Sequence, residues 1–141
     1  MFTELYNTEI LSLSASLKNE ALDNPQGTSR KVSKLCGSWV EIDVNLTDGY
    51  VSKAALRVQA CALGQASAAI LKSQIIGADL ASLTQARDDL RNMLKNAGQP
   101  PDGQFAQLKL LLGVTSYPAR HASTLLAFEA AVEAVQNATQ V

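Results

Sequence analysis

Two segments with alternating apolar residues, 40–46 and 54–60, constrain the fold of this chain more than any other feature. A slip of one residue would turn one apolar set toward solvent, so the pairing of the two segments is fixed. The register that keeps both sets on one face pairs Val40 with Val58, Ile42 with Leu56, and Val44 with Ala54. It also places Glu41 opposite Arg57 on the polar face. The sequence therefore predicts an antiparallel hairpin closed by a three-residue loop, 48–50.

The same register brings the two cysteines of the chain together. Continued outward, it sets Gly37 opposite Cys61, with Cys36 one position further along. Cross-strand β-carbons lie about 5 Å apart and diagonal ones about 7 Å, which a shared metal can bridge with sulfur bonds of about 2.3 Å. Cys61 also lies where a strand passes into a helix, a place where N–H groups favour a thiolate. Two alternatives stay open: cysteines packed as small buried hydrophobes, and a redox disulfide.

Composition excludes several functional classes. Of 141 residues, 12 are Lys or Arg and 13 are Asp or Glu, so the net charge is −1. The chain therefore lacks the excess of basic residues that is typical of nucleic-acid-binding proteins. Aromatic residues at 5% give no base-stacking platform, and no apolar run approaches the roughly 18 residues of a membrane span. The start, Met1-Phe-Thr-Glu, does not resemble a secretory signal. We expect one domain over residues 1–141, in the cytoplasm, with no nucleic-acid or membrane partner.

The sequence predicts an α+β fold, with a three-stranded antiparallel sheet covered by helices on one face. We expect strands over 29–34, 38–46 and 51–60. Five helices are predicted. The first follows a stripe of apolar residues from Phe2 through Tyr6 to Leu17, and the second begins after Cys61. The third runs from the cap residue Asp79 to Gly98, the fourth over about 103–112 with Gly113 as terminator, and the fifth from Pro118 onward.

Three polar residues are candidates for a functional site. His121 continues the apolar stripe of the last helix, which favours a packed core histidine, but a helix N-terminus also favours a neutral ring suited to binding metal. Asp43 is expected to be a solvated carboxylate on the polar strand face, and Ser123 a packing residue. The single histidine and the absence of a phosphate loop or serine-nucleophile motif argue against an enzyme.

Three blocks of sequence carry a family resemblance. They are Leu35-Cys36-Gly37, the stretch Ala60-Cys61-Ala62-Leu63-Gly64-Gln65 that follows the hairpin, and Tyr117-Pro118-Ala119-Arg120-His121-Ala122-Ser123. In order and spacing they resemble the U-type iron–sulfur cluster assembly scaffolds, the NifU N-terminal, IscU and SufU group. The block that begins at Tyr117 is most similar to the SufU-like branch.

The resemblance implies a SufE/NifU-like fold and a scaffold or carrier that binds iron or a nascent iron–sulfur cluster. Cys36 and Cys61 match the first two cysteine ligands, whereas Ser38 stands where the family has aspartate and Ser123 where it has a third cysteine. His121 is the hypothetical third metal ligand. The implied partners are a cysteine desulfurase and recipient apo iron–sulfur proteins. The alternatives are a zinc-bearing persulfide acceptor with Cys36 or Cys61 as the acceptor, and a cluster-free interaction module.

Overall fold

The computed structural model describes residues 7–139. In this range the elements are α1 (Thr8–Ser16), β1 (Gly27–Val32), β2 (Trp39–Thr47), β3 (Tyr50–Gln59), α2 (Ala62–Gln74), α3 (Leu80–Asn96), a 3-10 segment (Gly103–Ser116), a 3-10 turn (Pro118–Arg120) and α4 (His121–Thr139). The strands form one antiparallel sheet in the order β1-β2-β3. The predicted α+β fold is confirmed. Phe2 and Tyr6, which were predicted to open the first helix, lie outside the described residues.

The predicted hairpin register is confirmed along most of its length. Val40 pairs with Val58, Ile42 with Leu56, and Val44 with Ala54. On the opposite face, Arg57 Nε donates to Glu41 Oε1 at 2.7 Å. The alternation of apolar residues was sufficient to fix this register because one face of both strands is buried.

The predicted three-residue loop is wrong. The register shifts after Asn45, so that Leu46 pairs with Val51 and Thr47 with Tyr50. Only Asp48 and Gly49 remain in the turn, with φ angles of 54° and 85°. Positive φ at both central positions is the pattern of a type I′ turn, whose twist matches that of the strands. The bulge left on β3 absorbs the residue assigned to the loop.

One face of the sheet forms the core with the helices. Val40, Ile42, Val44 and Leu56 are fully buried there, and α4 packs across β1 and β2. In residues 7–139, none of the helices has the length and apolar character needed to cross a membrane.

The other face is covered in part by the segment 17–26, which corrects the expectation for Asp43. That carboxylate is only 4% exposed. It accepts hydrogen bonds from Arg57 at 2.9 and 3.0 Å, from the Leu22 N–H at 3.0 Å and from Thr28 Oγ1 at 3.0 Å. Asp43 is therefore a buried structural carboxylate and not a solvated one.

The predicted cap of α3 is confirmed. Asp79 Oδ1 accepts from the Ser82 N–H at 2.8 Å, and Ser82 Oγ accepts from the Asp79 N–H at 3.0 Å. This reciprocal pair satisfies two N–H groups at the helix start. The helix ends at Asn96, and the left-handed residue that follows is Ala97.

The helix predicted over 103–112 is a 3-10 segment that continues to Ser116. Its buried residues recur every third position, at Phe105, Leu108, Leu111 and Val114. A 3-10 helix has three residues per turn, so this spacing places Leu108, Leu111 and Val114 on one side. Phe105 precedes them at a kink, where the backbone is not helical (φ −109°, ψ 25°). Leu112 is 46% exposed, and Gly113, the predicted terminator, does not end the segment.

Candidate functional site

Cys36 lies on a tight loop between β1 and β2. The Ser33 N–H donates to the Ser38 carbonyl at 2.8 Å, and the Gly37 N–H donates to the Ser33 carbonyl at 2.8 Å. These two bonds close the loop, and Leu35, Cys36 and Gly37 lie exposed at its tip. The loop thus presents the Cys36 thiol to solvent.

Two serine hydroxyls surround the Cys36 sulfur. The thiol lies 3.5 Å from Ser33 Oγ and 3.1 Å from Ser38 Oγ. In the thiolate form the sulfur accepts from these hydroxyls, and these bonds lower the pKa of Cys36 below the ordinary thiol value, with a smaller contribution from the charge of Arg120. Cys36 is therefore an accessible thiol biased toward the thiolate.

Cys61 is the second of the two residues between β3 and α2. It occupies the N-cap position of α2, but its sulfur makes no capping hydrogen bond. Instead Sγ lies 3.6 Å from Ser123 Oγ, near the start of α4. The side chain is half-buried, so Cys61 is the more protected of the two thiols.

Small residues on α2 allow the start of α4 to approach Cys61. A β-carbon on Gly64 would lie 2.8 Å from Ala60 Cβ and 3.2 Å from the Ser123 carbonyl oxygen. One turn later, Ser67 Oγ donates to the Thr124 carbonyl at 2.7 Å. The close contact at Gly64 and the bond from Ser67 hold Ser123 beside Cys61. The N-terminal end of the last helix thus approaches Cys61.

A single pocket of about 270 Å³ joins the two cysteines. Its lining residues are Cys36, Gly37, Ser38, Gln59, Ala60, Cys61 and Arg120. The register argument thus placed both thiols in one region of the surface. Ser38 and Ser123, at the positions where the family resemblance implies ligands, each lie against one of the cysteines.

His121 is not brought into this pocket. Its side chain is buried, and Nε2 lies 3.0 Å from the Val114 carbonyl and 3.2 Å from the Thr115 carbonyl. Because both neighbours are acceptors, Nε2 carries the proton and donates to them. The imidazole therefore ties the end of the 3-10 segment to α4.

Sequence reasoning gave no role to Ser33 or Arg120. Ser33 precedes Cys36 by three residues, a spacing that contacts the thiol only because the loop closes on itself. Arg120 precedes α4 and reaches the pocket through the packing of that helix against α2. Both contacts depend on tertiary structure. The sequence offers one weak signal, since Ser33 lies three positions from Cys36 and Arg120 lies next to His121.

The pocket is lined by two cysteines, one serine and one arginine, and the Ser123 hydroxyl lies beside Cys61. Thiolates bind zinc, iron and iron–sulfur clusters, and they also attack sulfur. In residues 7–139, no three side chains drawn from His, Cys, Asp and Glu come close enough to share a metal ion. The arrangement therefore offers two thiols that can bind a soft metal or attack sulfur, and one of them is exposed.

Similar proteins share this fold and most of the length of the chain. The N-terminal NifU-like protein of Brucella abortus, described as nitrogen-fixing, superposes with a TM-score of 0.95 at 38% identity, covering 99% of this chain and 97% of its own. A Fervidobacterium islandicum protein proposed as the iron–sulfur cluster assembly scaffold for its SUF system superposes with a TM-score of 0.85 at 20% identity, covering 94% and 98%.

Sequence comparison gives a consistent result. The iron–sulfur cluster assembly scaffold protein IscU of Thermotoga maritima is 24% identical over 137 residues, which are 96% of either chain. No family profile matches the sequence. On the full-length similarity to the Brucella protein, the chain belongs to the U-type iron–sulfur cluster assembly scaffold family, the group of the NifU N-terminal, IscU and SufU proteins.

Proposed function

We propose that this protein is a scaffold or carrier that binds iron or a nascent iron–sulfur cluster as cargo through Cys36 and Cys61. A cysteine desulfurase would supply the sulfur, and apo iron–sulfur proteins would receive the product. The chain would act as one domain over residues 1–141, in the cytoplasm, where reducing conditions keep both thiols free.

The observation that carries the proposal is the pocket shared by the two cysteines. Thiolates are the usual ligands of iron–sulfur clusters, and the lowered pKa of Cys36 favours the ligating form at neutral pH. A cargo site must also release what it holds. Cys36 is exposed, and the described part of the chain, residues 7–139, has no group of three metal-ligating side chains, which fits a site that binds its cargo transiently.

Anaerobic purification with elemental analysis and visible absorption tests this proposal. The native protein is compared with Cys36→Ala and Cys61→Ala, and Ser52→Ala on the exposed surface of β3 serves as the control. We expect bound iron and a visible charge-transfer band in the native protein and the control, and loss of both in each cysteine variant. Unchanged iron in the cysteine variants would place the site elsewhere.

A second candidate function is a zinc-bearing sulfur acceptor. The exposure of Cys36 and its lowered pKa favour this role, because the thiolate is the attacking form. The Cys36 thiolate would bond to the outer sulfur of a desulfurase persulfide. The sulfur–sulfur bond of that persulfide would break, and the desulfurase cysteine would leave as a thiolate.

Mass spectrometry separates the two functions. After incubation with a cysteine desulfurase and cysteine, an acceptor gains the mass of one sulfur on Cys36, and Cys36→Ala does not. A protein that binds iron but never gains sulfur is a scaffold or carrier only. A protein that binds neither iron nor zinc, and whose thiols resist alkylation, is instead a cluster-free interaction module.

A further inference from the structure

The guanidinium of Arg120 is a positive charge that pairs with no carboxylate in residues 7–139. The ion pairs of this range join other residues. Arg120 makes its hydrogen bonds through the backbone, whose carbonyl accepts from Ser123 Oγ at 3.3 Å and from Thr124 Oγ1 at 2.7 Å. Arg120 lines the pocket of the two cysteines, and its charge helps to lower the pKa of Cys36. The guanidinium is therefore available to an anion that enters this pocket.

The other groups of the pocket do not oppose such an anion. Among the described residues that line it, the polar side chains besides the cysteines are Ser38, Gln59 and Arg120, and none is a carboxylate. Lys34 adds a second positive charge on the exposed loop that carries Cys36. The negative charge of a Cys36 thiolate is therefore offset by neighbouring positive charge, and the local field does not exclude a molecule that bears a carboxylate.

The pocket has room for a small molecule at the reactive sulfur. Its volume of about 270 Å³ lies just below the range of about 300–1,000 Å³ that is usual for ligand sites. Cys36 lies at the exposed tip of its loop, so a molecule in the pocket can extend past the sulfur into solvent. The Ser33 and Ser38 hydroxyls, 3.5 and 3.1 Å from this sulfur, stabilise its thiolate. A nucleophilic sulfur, a positive charge and free space thus occur together.

We propose that Cys36 is a thiol–disulfide exchange site for small disulfides that carry carboxylates, the chemical class of glutathione disulfide, and that Arg120 binds the carboxylate. The inference goes beyond the proposed function, because the reaction needs neither a metal nor a desulfurase. The Cys36 thiolate attacks one sulfur of the disulfide. A sulfur–sulfur bond forms between Cys36 and one half of the molecule, and the original sulfur–sulfur bond breaks. The other half leaves as a thiolate, which takes a proton from water.

The exchange balances without a further oxidant. The Cys36 sulfur is oxidised and the departing sulfur is reduced, so one disulfide replaces another. An excess of the reduced small thiol attacks the same bond and returns Cys36 to the thiolate. The state of Cys36 therefore follows the ratio of oxidised to reduced small thiol. While the adduct is present, the Cys36 sulfur can neither ligate a metal nor accept sulfur.

Two disulfides of matched chain length test the inference on the full chain. 3,3′-Dithiodipropionate has one carboxylate on each half, and bis(2-hydroxyethyl) disulfide is neutral. Their rates of adduct formation are measured by mass spectrometry in a Cys61→Ala background, where Cys36 is the one remaining cysteine. Peptide mapping of the native chain checks that the adduct is on Cys36. We expect the folded chain to react about two- to five-fold faster with the carboxylate probe, the effect of an exposed ion pair. Added salt or unfolding in urea should remove this preference.

Variants of Arg120 give the decisive comparison. Arg120→Gln also changes the thiolate fraction of Cys36, but that change affects both probes equally and cancels in the ratio of their rates. We expect the ratio to fall to one or below in Arg120→Gln and to recover in part in Arg120→Lys. Lys53→Gln, on the exposed surface of β3 near the hairpin turn, is the matched control and should keep the native ratio.

Two results would overturn the inference: a folded chain that gains neither adduct, and a ratio of rates that is the same in Arg120→Gln as in Lys53→Gln. The salt dependence of the ratio provides a check that needs no variant of Arg120. Iron content is measured separately on the native chain. A chain that retains iron without exchanging disulfides contradicts the inference and leaves the proposed function standing. A chain that exchanges with the expected preference but retains no iron supports the inference and contradicts the proposed function.

Discussion

At the scale of single residues, the loop 33–38 makes the two thiols unequal. Ser33 and Ser38 both place hydroxyls against Cys36, whereas within residues 7–139 the Cys61 sulfur has one such side-chain neighbour, Ser123. Cys36 is exposed and Cys61 is half-buried. A reagent or protein that reacts with thiolates should therefore react with Cys36 faster than with Cys61.

Removal of the Ser38 hydroxyl should make Cys36 less acidic. In a Cys61→Ala background, where Cys36 is the one remaining cysteine, Ser38→Ala removes a donor to the thiolate and should raise the pKa of Cys36. The rate of alkylation at neutral pH should fall, and its pH profile should move upward. Ser52→Ala in the same background is the control. An unchanged profile would show that the hydroxyl does not act on the sulfur.

His121→Ala should weaken the fold without emptying the site. The imidazole is buried and donates to the Val114 and Thr115 carbonyls. The Val114 carbonyl still accepts from the Tyr117 N–H, so the loss of the imidazole should cost about 0.5–1.5 kcal/mol per lost hydrogen bond in the free energy of unfolding. Urea denaturation measures this cost. Iron content should match that of the native protein, and a loss of iron with native stability would restore His121 as a ligand.

At the scale of elements, the contact between α2 and the start of α4 positions one half of the site. Gly64 leaves no room for a β-carbon between Ala60 and the Ser123 backbone. Ser67 adds a buried hydrogen bond to the Thr124 carbonyl. The two helices are therefore held at a separation that small side chains on α2 determine.

Gly64→Ala should be destabilising even though alanine is the better helix former. Its methyl group would lie 2.8 Å from Ala60 Cβ, so either α4 or the end of β3 must shift. Overpacking of this kind costs about 1–3 kcal/mol, which chemical denaturation can measure. Ser73→Ala, on the exposed side of the same helix, is the control and should be close to neutral. Native stability in Gly64→Ala would show that the helices adjust freely.

Sequence patterns predicted those elements whose burial has a regular period. The hairpin register followed from alternation because a slip would expose a whole face. The turn length could not be obtained in this way, since the bulge after Asn45 preserves alternation on either side of it. The 3-10 segment was mistaken for an α-helix because Phe105 and Leu108 fit both periods, and only Leu111 and Val114 distinguish them.

The same distinction applies to the candidate site: contacts that follow from strand register were predicted, and contacts that depend on loop closure and helix packing were not. The proximity of Cys36 and Cys61 was predicted because the register of β2 and β3 brings the ends of the two strands together. The observed pairing stops at Trp39 and Gln59, so both cysteines lie just beyond it and Gly37 does not pair with Cys61. The positions of Ser33 and Arg120 depend on loop closure and helix packing, which have no period to detect. The Asp43 carboxylate was predicted to be solvated, because the segment 17–26 that covers it has no regular apolar pattern that would predict its packing on the sheet.

At the scale of the whole molecule, one buried ion pair joins the chain before the sheet to the hairpin. Arg57 contacts Asp43 and Glu41 and donates to the Glu20 carbonyl at 2.8 Å. The Glu20 N–H in turn donates to the Leu56 carbonyl at 2.9 Å, which satisfies the open edge of β3. Loss of the ion pair between Arg57 and Asp43 should therefore also weaken the packing of the segment 17–26 on the sheet.

The stability of the protein should depend on acid through Asp43. Burial opposes its ionisation, but the bonds from Arg57, Leu22 and Thr28 outweigh this and lower the pKa of Asp43. Its stabilisation is complete above the unfolded value of about 3.9 and is lost as pH falls through the lower folded value. The free energy of unfolding should therefore decrease as pH falls below about 4.

Asp43→Asn should remove that dependence together with the pair. The variant leaves Arg57 with fewer partners in a largely buried position, at a cost of about 3 kcal/mol near neutral pH. Its unfolding free energy should also vary less with acid than that of the native chain. Asp48→Asn, in the exposed turn, is the matched control, and equal acid slopes in both variants would contradict the assignment.

The Asp48-Gly49 turn lies at the far end of the nine-residue strand β2 from the Cys36 loop. At about 3.3 Å per residue, that separation is about 26 Å along the strand. A fluorophore or affinity handle grafted into this turn would therefore report on the protein without contacting the Cys36 loop. Immobilised by that tip, the molecule would keep its thiols free for partners.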